Sequence, residues 1–247
     1  MKEIDSILIE GDSWGCGAWA VVNPTEELHK GKVNTTYGLY HSGIEKYFID
    51  FYSEIGVMNL SDPGKALKNY FLKSFTKPSI CIVYVTDPLR NLTEYELKYI
   101  KSYDQMQLYS QKALEFELSR WSIFDFPIYL LGGISKITNE MVDKYPNIEV
   151  IIPSVLEFLL PEITHPPFWI SSEWLQYVSD DIDSVSIKKI VDTSEWQLTL
   201  ENGPDGQKYF YPDGAHPNHL GYLKVFNYIV NFLKDKGYHL PTDKDLI

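Results

Sequence analysis

Cysteine is scarce: the 247-residue chain has two, Cys16 and Cys81. So low a count excludes a disulfide-stapled scaffold and leans towards a reducing, cytoplasmic setting. Positive charge is also short, with 22 basic residues against 34 acidic ones and a formal net charge of −12. That balance argues against a nucleic-acid partner, which needs clustered Lys and Arg to neutralise phosphates. It argues equally against docking on an anionic membrane surface. No apolar run approaches the roughly 20 residues of a membrane span. The start, Met1-Lys2-Glu3-Ile4-Asp5, has neither the basic start nor the long apolar stretch of a signal peptide. Internal repeats and low-complexity tracts are missing too. The expectation is one soluble, cytoplasmic domain spanning 1–247, long enough to bury a single large core. Aromatics, in contrast, are abundant: 18 Tyr, 12 Phe and 6 Trp, or 15% of the chain. That much ring surface either fills a core or lines a site for an apolar or sugar-like ligand.

Short apolar runs alternate with helical stripes. The runs are Ile7-Leu8-Ile9, Val57-Met58-Asn59-Leu60, Ile80-Cys81-Ile82-Val83-Tyr84-Val85, Ile128-Tyr129-Leu130-Leu131 and Val150-Ile151-Ile152. The third is apolar throughout, as a strand covered on both faces would be. Helix faces are predicted at Ile44, Tyr47, Phe48, Phe51, Tyr52 and Ile55, and at Ala66, Leu67, Tyr70 and Phe71. One long helix is predicted from a Thr93–Glu96 capping box towards Leu118. A last one carries Leu220, Leu223, Phe226, Val230 and Leu233, with Pro217 near its start and Gly237 after it. Five short strands separated by helices imply a parallel α/β sheet with right-handed crossovers. Ligands of such sheets sit outside the carboxyl ends of the strands. The places to search are therefore Asp12-Ser13, Asn59 to Gly64, Thr86-Asp87 and Gly132-Gly133. Residues 162–205 break the rhythm, with Pro166-Pro167, Trp169, Trp174, Trp196 and the acidic Asp180-Asp181-Ile182-Asp183. They read as an insertion, either a lid-like flap or a cover for the sheet's edge.

Chemistry gathers at the two ends. Ser13 follows a strand and a glycine, so the chain can turn there and present the hydroxyl, with helix amides close by. A serine becomes a nucleophile only when a base takes its proton, and an imidazole base needs an acceptor on its other nitrogen. Tyr211-Pro212-Asp213-Gly214-Ala215-His216-Pro217-Asn218-His219 offers that pair, since Asp213 and His216 lie three residues apart in one loop.

Gly11-Asp12-Ser13 with Gly17 behind it, and Asp213-x-x-His216 near the other end, resemble the first and last blocks of the SGNH hydrolases, the GDSL esterases and lipases. The resemblance implies a flavodoxin-like three-layer α/β/α sandwich with a five-stranded parallel sheet. It also implies roles: Ser13 the nucleophile, His216 the general base and then acid, Asp213 the residue that orients His216. The Ser13 amide would be the first oxyanion donor and the Gly64 amide the second. The family's third block, Gly-x-Asn-Asp, is where this chain departs. Asp87 falls at the block's Asp, which puts Thr86, a shorter hydroxyl donor, where the Asn donor should be. Asn59 and Asn91 are the amides that position offers instead. Loss of one oxyanion donor typically costs about 10²–10³ in turnover. Trp14 and Tyr211, beside the nucleophile and the acid, are placed to wall the pocket with Asp87.

Blander readings stand beside these. Gly-Asp-Ser also occurs in ordinary turns, Asp12 shapes this one, and Asn218 or a neighbour caps the last helix. Asp213, His216 and His219 are suitable in type for a metal, but no third His or clustered Glu accompanies them, so no metal or other cofactor is expected. Cys16 reads as a packing residue, and His29, His41, His165 and His239 show no partner pattern. Two functions follow: a serine esterase for short acyl esters, such as acetyl on a carbohydrate, or a binding module on a hydrolase scaffold with little turnover. The oligomeric state stays open.

Overall fold

The central strands Ile80–Val85 and Ile128–Gly132 are buried at every position, which is why they read as unbroken apolar runs, while the edge strand Gly56–Asn59 is partly exposed. The computed structural model describes residues 2–17, 43–63, 65–70, 72, 77–85, 88–133, 136–161, 209–210 and 216–240. Among them β1 (Lys2–Glu3) opens the chain, followed by β2 (Ser6–Glu10), β3 (Gly56–Asn59), β4 (Ile80–Val85), β5 (Ile128–Gly132), β6 (Ile148–Ile152) and β7 (Tyr238–His239). The helices are α1 (Ser13–Cys16), α2 (Ile44–Phe51), α3 (Glu94–Leu97), α4 (Tyr103–Trp121), α5 (Asn139–Val142), α6 (Val155–Leu159) and α7 (His219–Asp235). β2 to β6 form one all-parallel five-stranded sheet in the order β3-β2-β4-β5-β6. Its first strand lies between the second and third, which is the flavodoxin-like arrangement. β1 and β7 pair with each other, also in parallel.

Side chains of one strand point alternately to two dry layers. Ile7, Ile9, Ile82, Leu131 and Ile151 pack with Phe48 of α2, Leu156 of α6 and Phe226 of α7. Leu8, Cys81, Val83, Leu130 and Val150 pack on the other face with Leu114 and Leu118 of α4 and Val142 of α5. All five predicted strands are present, within two residues at each end.

The helices differ more from their predicted limits. Thr93 does make a capping box, its hydroxyl accepting from Glu96 N and its own N–H donating to the Glu96 carboxylate at 2.7 Å, but α3 stops at Leu97. A second cap restarts the chain: Ser102 Oγ accepts from Gln105 N, and Gln105 Oε1 accepts from Lys101 N at 2.6 Å. The predicted single helix is therefore two. Of the predicted stripe, Ala66, Leu67 and Tyr70 are buried but form only a 3-10 turn, Leu67–Asn69, flanked by extended Ala66 and Tyr70, and Phe71 lies outside the described residues. Tyr70 leaves the turn to donate its hydroxyl to Tyr84 O at 2.9 Å and to stack on Trp121. In α7 the buried stripe runs through Tyr222, Val225, Phe226, Ile229, Val230 and Leu233, while Leu220 is 41% exposed. The Asn218 cap sets that phase, because its Oδ1 accepts from Leu220 N and Gly221 N and so fixes which residue begins the first turn.

Beyond the end of α7, Gly237 has φ +80, and no atom lies within 4 Å of where its Cβ would stand. Its role is conformational, the left-handed residue that ends the helix. Gly237→Ala is expected to cost about 1–2 kcal/mol, read as a lower urea midpoint with an unchanged slope.

Candidate active site

The switch point of the sheet, where the chain leaves β2 for β3 on one side and β4 on the other, is where a ligand crevice opens in this topology. Gly11 lets the chain exit β2 there, since a Cβ on it would stand 2.9 Å from the Cβ of Tyr84. Asp12 then organises the turn. Its Oδ1 accepts from Trp14 N at 3.0 Å, and its backbone oxygen accepts from Gly15 N and Cys16 N, both at 3.1 Å. Ser13 opens α1 and is 8% exposed. Among the described residues its backbone N–H donates to no acceptor. Asn59, at the end of β3, braces the far side of the turn by donating to Gly15 O and to the Glu45 carboxylate, each at 3.1 Å.

His216 arrives from the α7 side of the sheet. Pro217 bridges to Phe210, and Asn218 N donates to Tyr209 O at 2.8 Å. The Asn218 carboxamide donates to Phe210 O at 3.2 Å while its oxygen caps α7. Gly221 is needed in that first turn, since a Cβ on it would lie 2.5 Å from Tyr209 O. These ties hold the residue before Pro217 against the Ser13 turn. The outcome is a Ser13 Oγ to His216 Nε2 distance of 2.9 Å between residues 203 apart in the chain. The hydroxyl donates when Nε2 carries no proton.

Trp14 is buried beside this pair, its ring 6.5 Å from the His216 ring and edge-on to Phe210 at 6.3 Å. Tyr222 of α7 donates its hydroxyl to Trp14 O at 3.1 Å, so the helix that follows His216 also holds the residue that follows Ser13. Cys16 is a buried thiol, in no disulfide, whose Sγ lies 3.5 Å from Ser13 O. Burial, and then the nearby Asp12 carboxylate, push the Tyr84 phenol far above its ordinary range, so it stays neutral. Burial and Glu10 likewise raise the Cys81 thiol on the opposite face.

No family model and no curated protein matches the chain. Of the residues singled out in the sequence, Ser13, Trp14 and His216 come together. Asp213, Tyr211, Gly64, Thr86 and Asp87, like the segment 162–205, lie outside the described residues. The two candidate replacement amides are engaged elsewhere. Both donors of Asn59 are used as above, and Asn91 donates to Glu117 at 3.4 Å while accepting from Lys68 N at 3.0 Å. Among the described residues no three His, Cys, Asp or Glu side chains are grouped to hold a metal ion.

One site residue escaped sequence reasoning. Arg90, on the 3-10 turn Pro88–Asn91 after β4, donates from Nη1 to Asp12 Oδ2 at 3.0 Å. Its signal in the sequence is rarity: the chain has only two arginines, Arg90 and Arg120. Both pair with buried carboxylates, Asp12 and Glu117, where a planar guanidinium serves better than an ammonium.

Proposed function

We propose that this protein is a serine acyl hydrolase of the SGNH type, acting in the cytoplasm on short acyl esters such as O-acetyl groups of a carbohydrate. The observation that carries the reading is the 2.9 Å Ser13–His216 hydrogen bond at the switch point of the sheet. His216 Nε2 takes the Ser13 proton as Oγ attacks the ester carbonyl, and a tetrahedral oxyanion forms. Collapse expels the alcohol, which receives the proton from His216, and leaves an acyl-serine. Water, deprotonated by His216, attacks that ester, and the acid leaves as Oγ regains its proton. In this reading Asp213 orients His216. The Ser13 N–H, which has no acceptor among the described residues, is the first oxyanion donor. Gly64 N–H and the Thr86 hydroxyl are the further donors taken from the resemblance, and Trp14, Tyr211 and Asp87 border the substrate. No helix among the described residues is long and apolar enough to cross a membrane.

The test is active-site labelling. A fluorophosphonate is expected to modify wild type on Ser13, with loss of p-nitrophenyl acetate hydrolysis, and to leave Ser13→Ala unlabelled. Acetylated sugars are expected to be deacetylated by wild type alone. Equal hydrolysis by wild type and Ser13→Ala defeats the esterase reading. Sugar binding without turnover, unaltered in Ser13→Ala, favours the binding module instead.

A further inference from the structure

The Ser13 turn is held from both faces of the sheet, and the two holds differ in kind. From the α7 side come His216 itself and the Tyr222 hydroxyl on Trp14 O. From the α4 side comes Arg90, through Asp12. The Arg90 turn is in turn fixed to the layer beneath it. Asn91 Oδ1 accepts from Lys68 N, Lys68 Nζ donates to Asn91 O at 3.1 Å, and the Asn91 carboxamide donates to Glu117 of α4. Glu117 is itself buried and receives Arg120 at 2.6 Å. An unbroken run of polar contacts thus leads from α4 through Asn91, along the backbone to Arg90, and on to Asp12.

Asp12 splits its carboxylate between two tasks. Oδ2 takes the guanidinium and Oδ1 takes Trp14 N, both at 3.0 Å. The Arg90 side chain is 18% exposed and that of Asp12 8%, so solvent competes weakly for the pair. A carboxylate held at one oxygen by a fixed cation cannot rotate its other oxygen away from the amide it caps. That amide directly follows Ser13, so the orientation of the Ser13 hydroxyl and N–H depends on it.

We propose that Arg90 is a positioning residue for catalysis. It clamps Asp12 so that the Ser13 hydroxyl faces His216 Nε2 and the Ser13 N–H faces the oxyanion. The proposal rests on the esterase reading for its catalytic consequence, but the clamp itself is a statement about the turn. The clamp reaches the nucleophile from the carboxyl end of β4, the strand end at which the third block of the resembling family supplies its side-chain donor. In this chain the described side chain reaching the turn from there is a cation bound to Asp12.

The experiment compares wild type, Arg90→Ala, Arg90→Lys and Lys77→Ala, the last removing an exposed pair with Asp125 before the amino ends of β4 and β5, away from the carboxyl ends where the site lies. Arg90→Ala is expected to lose about 10²-fold in kcat, the scale of a misplaced reacting group, with KM near wild type. Millimolar guanidinium, but not the same concentration of sodium chloride, is expected to restore turnover, and Arg90→Lys to retain part of it. Hydrogen exchange is expected to lose protection at residues 11–17 and to keep it in β5. Lys77→Ala is expected to match wild type throughout.

Unchanged turnover and unchanged exchange in Arg90→Ala overturn the proposal. So does a fall in kcat that comes with a raised KM, global loss of protection and no guanidinium rescue, since that pattern marks a merely structural role. If wild type neither labels nor hydrolyses, the esterase reading fails. The exchange at residues 11–17 then decides the clamp alone: local loss supports it, and no loss overturns it.

Discussion

His216→Ala is expected to lower kcat for p-nitrophenyl acetate by about 10⁴–10⁶-fold, the scale seen when a serine nucleophile loses its base. Without the imidazole the Ser13 hydroxyl keeps its proton, and attack on the carbonyl must wait for bulk water to remove it. The 2.9 Å contact makes this a direct loss. The substitution removes a ring from a partly exposed segment, and the tie of Asn218 N to Tyr209 O and the bridge of Pro217 to Phe210 are made by neighbouring residues. Folding stability is therefore expected to change little, and unfolding in urea checks that. Added imidazole is expected to recover part of the turnover. Retention of activity within an order of magnitude would instead mean that Ser13 is not activated by His216, and the esterase reading would fall with it.

The second large effect concerns stability. Glu10, the last residue of β2 and three before Ser13, is wholly buried, and its carboxylate is paired with Lys65. Lys65 is 15% exposed, donates also to Leu60 O at 2.7 Å and lies over the Tyr70 ring. Lys65→Met is expected to cost about 3–5 kcal/mol, because it leaves a buried carboxylate without its cation. Against a typical total of about 5–15 kcal/mol, that brings the fold near its limit. Glu10→Gln combined with Lys65→Met is expected to recover much of the loss, since the penalty belongs to the stranded charge more than to the missing bond. Urea midpoints of wild type and the two variants measure it. A single variant as stable as wild type, or a double variant worse than the single, would show that the pair does not bear on stability in this way.

Local pattern made the strands legible. Ile80 to Val85 is apolar at every position, and a strand covered on both faces has no other way to read. Helix limits were less legible because they depend on competing caps. Thr93 and Ser102 each carry a capping pattern, and only the folded chain shows that both are used. On α7 the predicted Phe226, Val230 and Leu233 are buried and Leu223 packs partly buried against the core; Leu220 alone is exposed, although it satisfies the helical period almost as well as the buried Tyr222. What decides between them is the Asn218 cap, whose carboxamide is anchored to Phe210.

In the candidate site, Ser13 and His216 were legible as residue types next to glycine and proline turns. Arg90 was not, because nothing in its neighbourhood marks it: Pro88-Leu89-Arg90-Asn91 reads as a surface turn. The pairing of Asn59 with Gly15 and Glu45 was also hidden, since an amide at a strand end suits a ligand and a backbone carbonyl equally well.

The residue order alone determined the parallel α/β architecture, through short apolar runs and amphipathic stripes whose periods follow from local backbone geometry. It also holds a serine at a glycine turn and a histidine before a proline, the residue types that the proposed reaction needs. Only the tertiary structure decided that they meet. Ser13 and His216 are 203 residues apart, and their 2.9 Å contact follows from the place of β2 in the sheet, the cap of α7 and the packing of Trp14 between them and the core. The same holds for the Arg90–Asp12 clamp, which joins loops on two neighbouring strands. Contacts of this kind depend on strand order and register, and neither is encoded in the neighbourhood of any one residue.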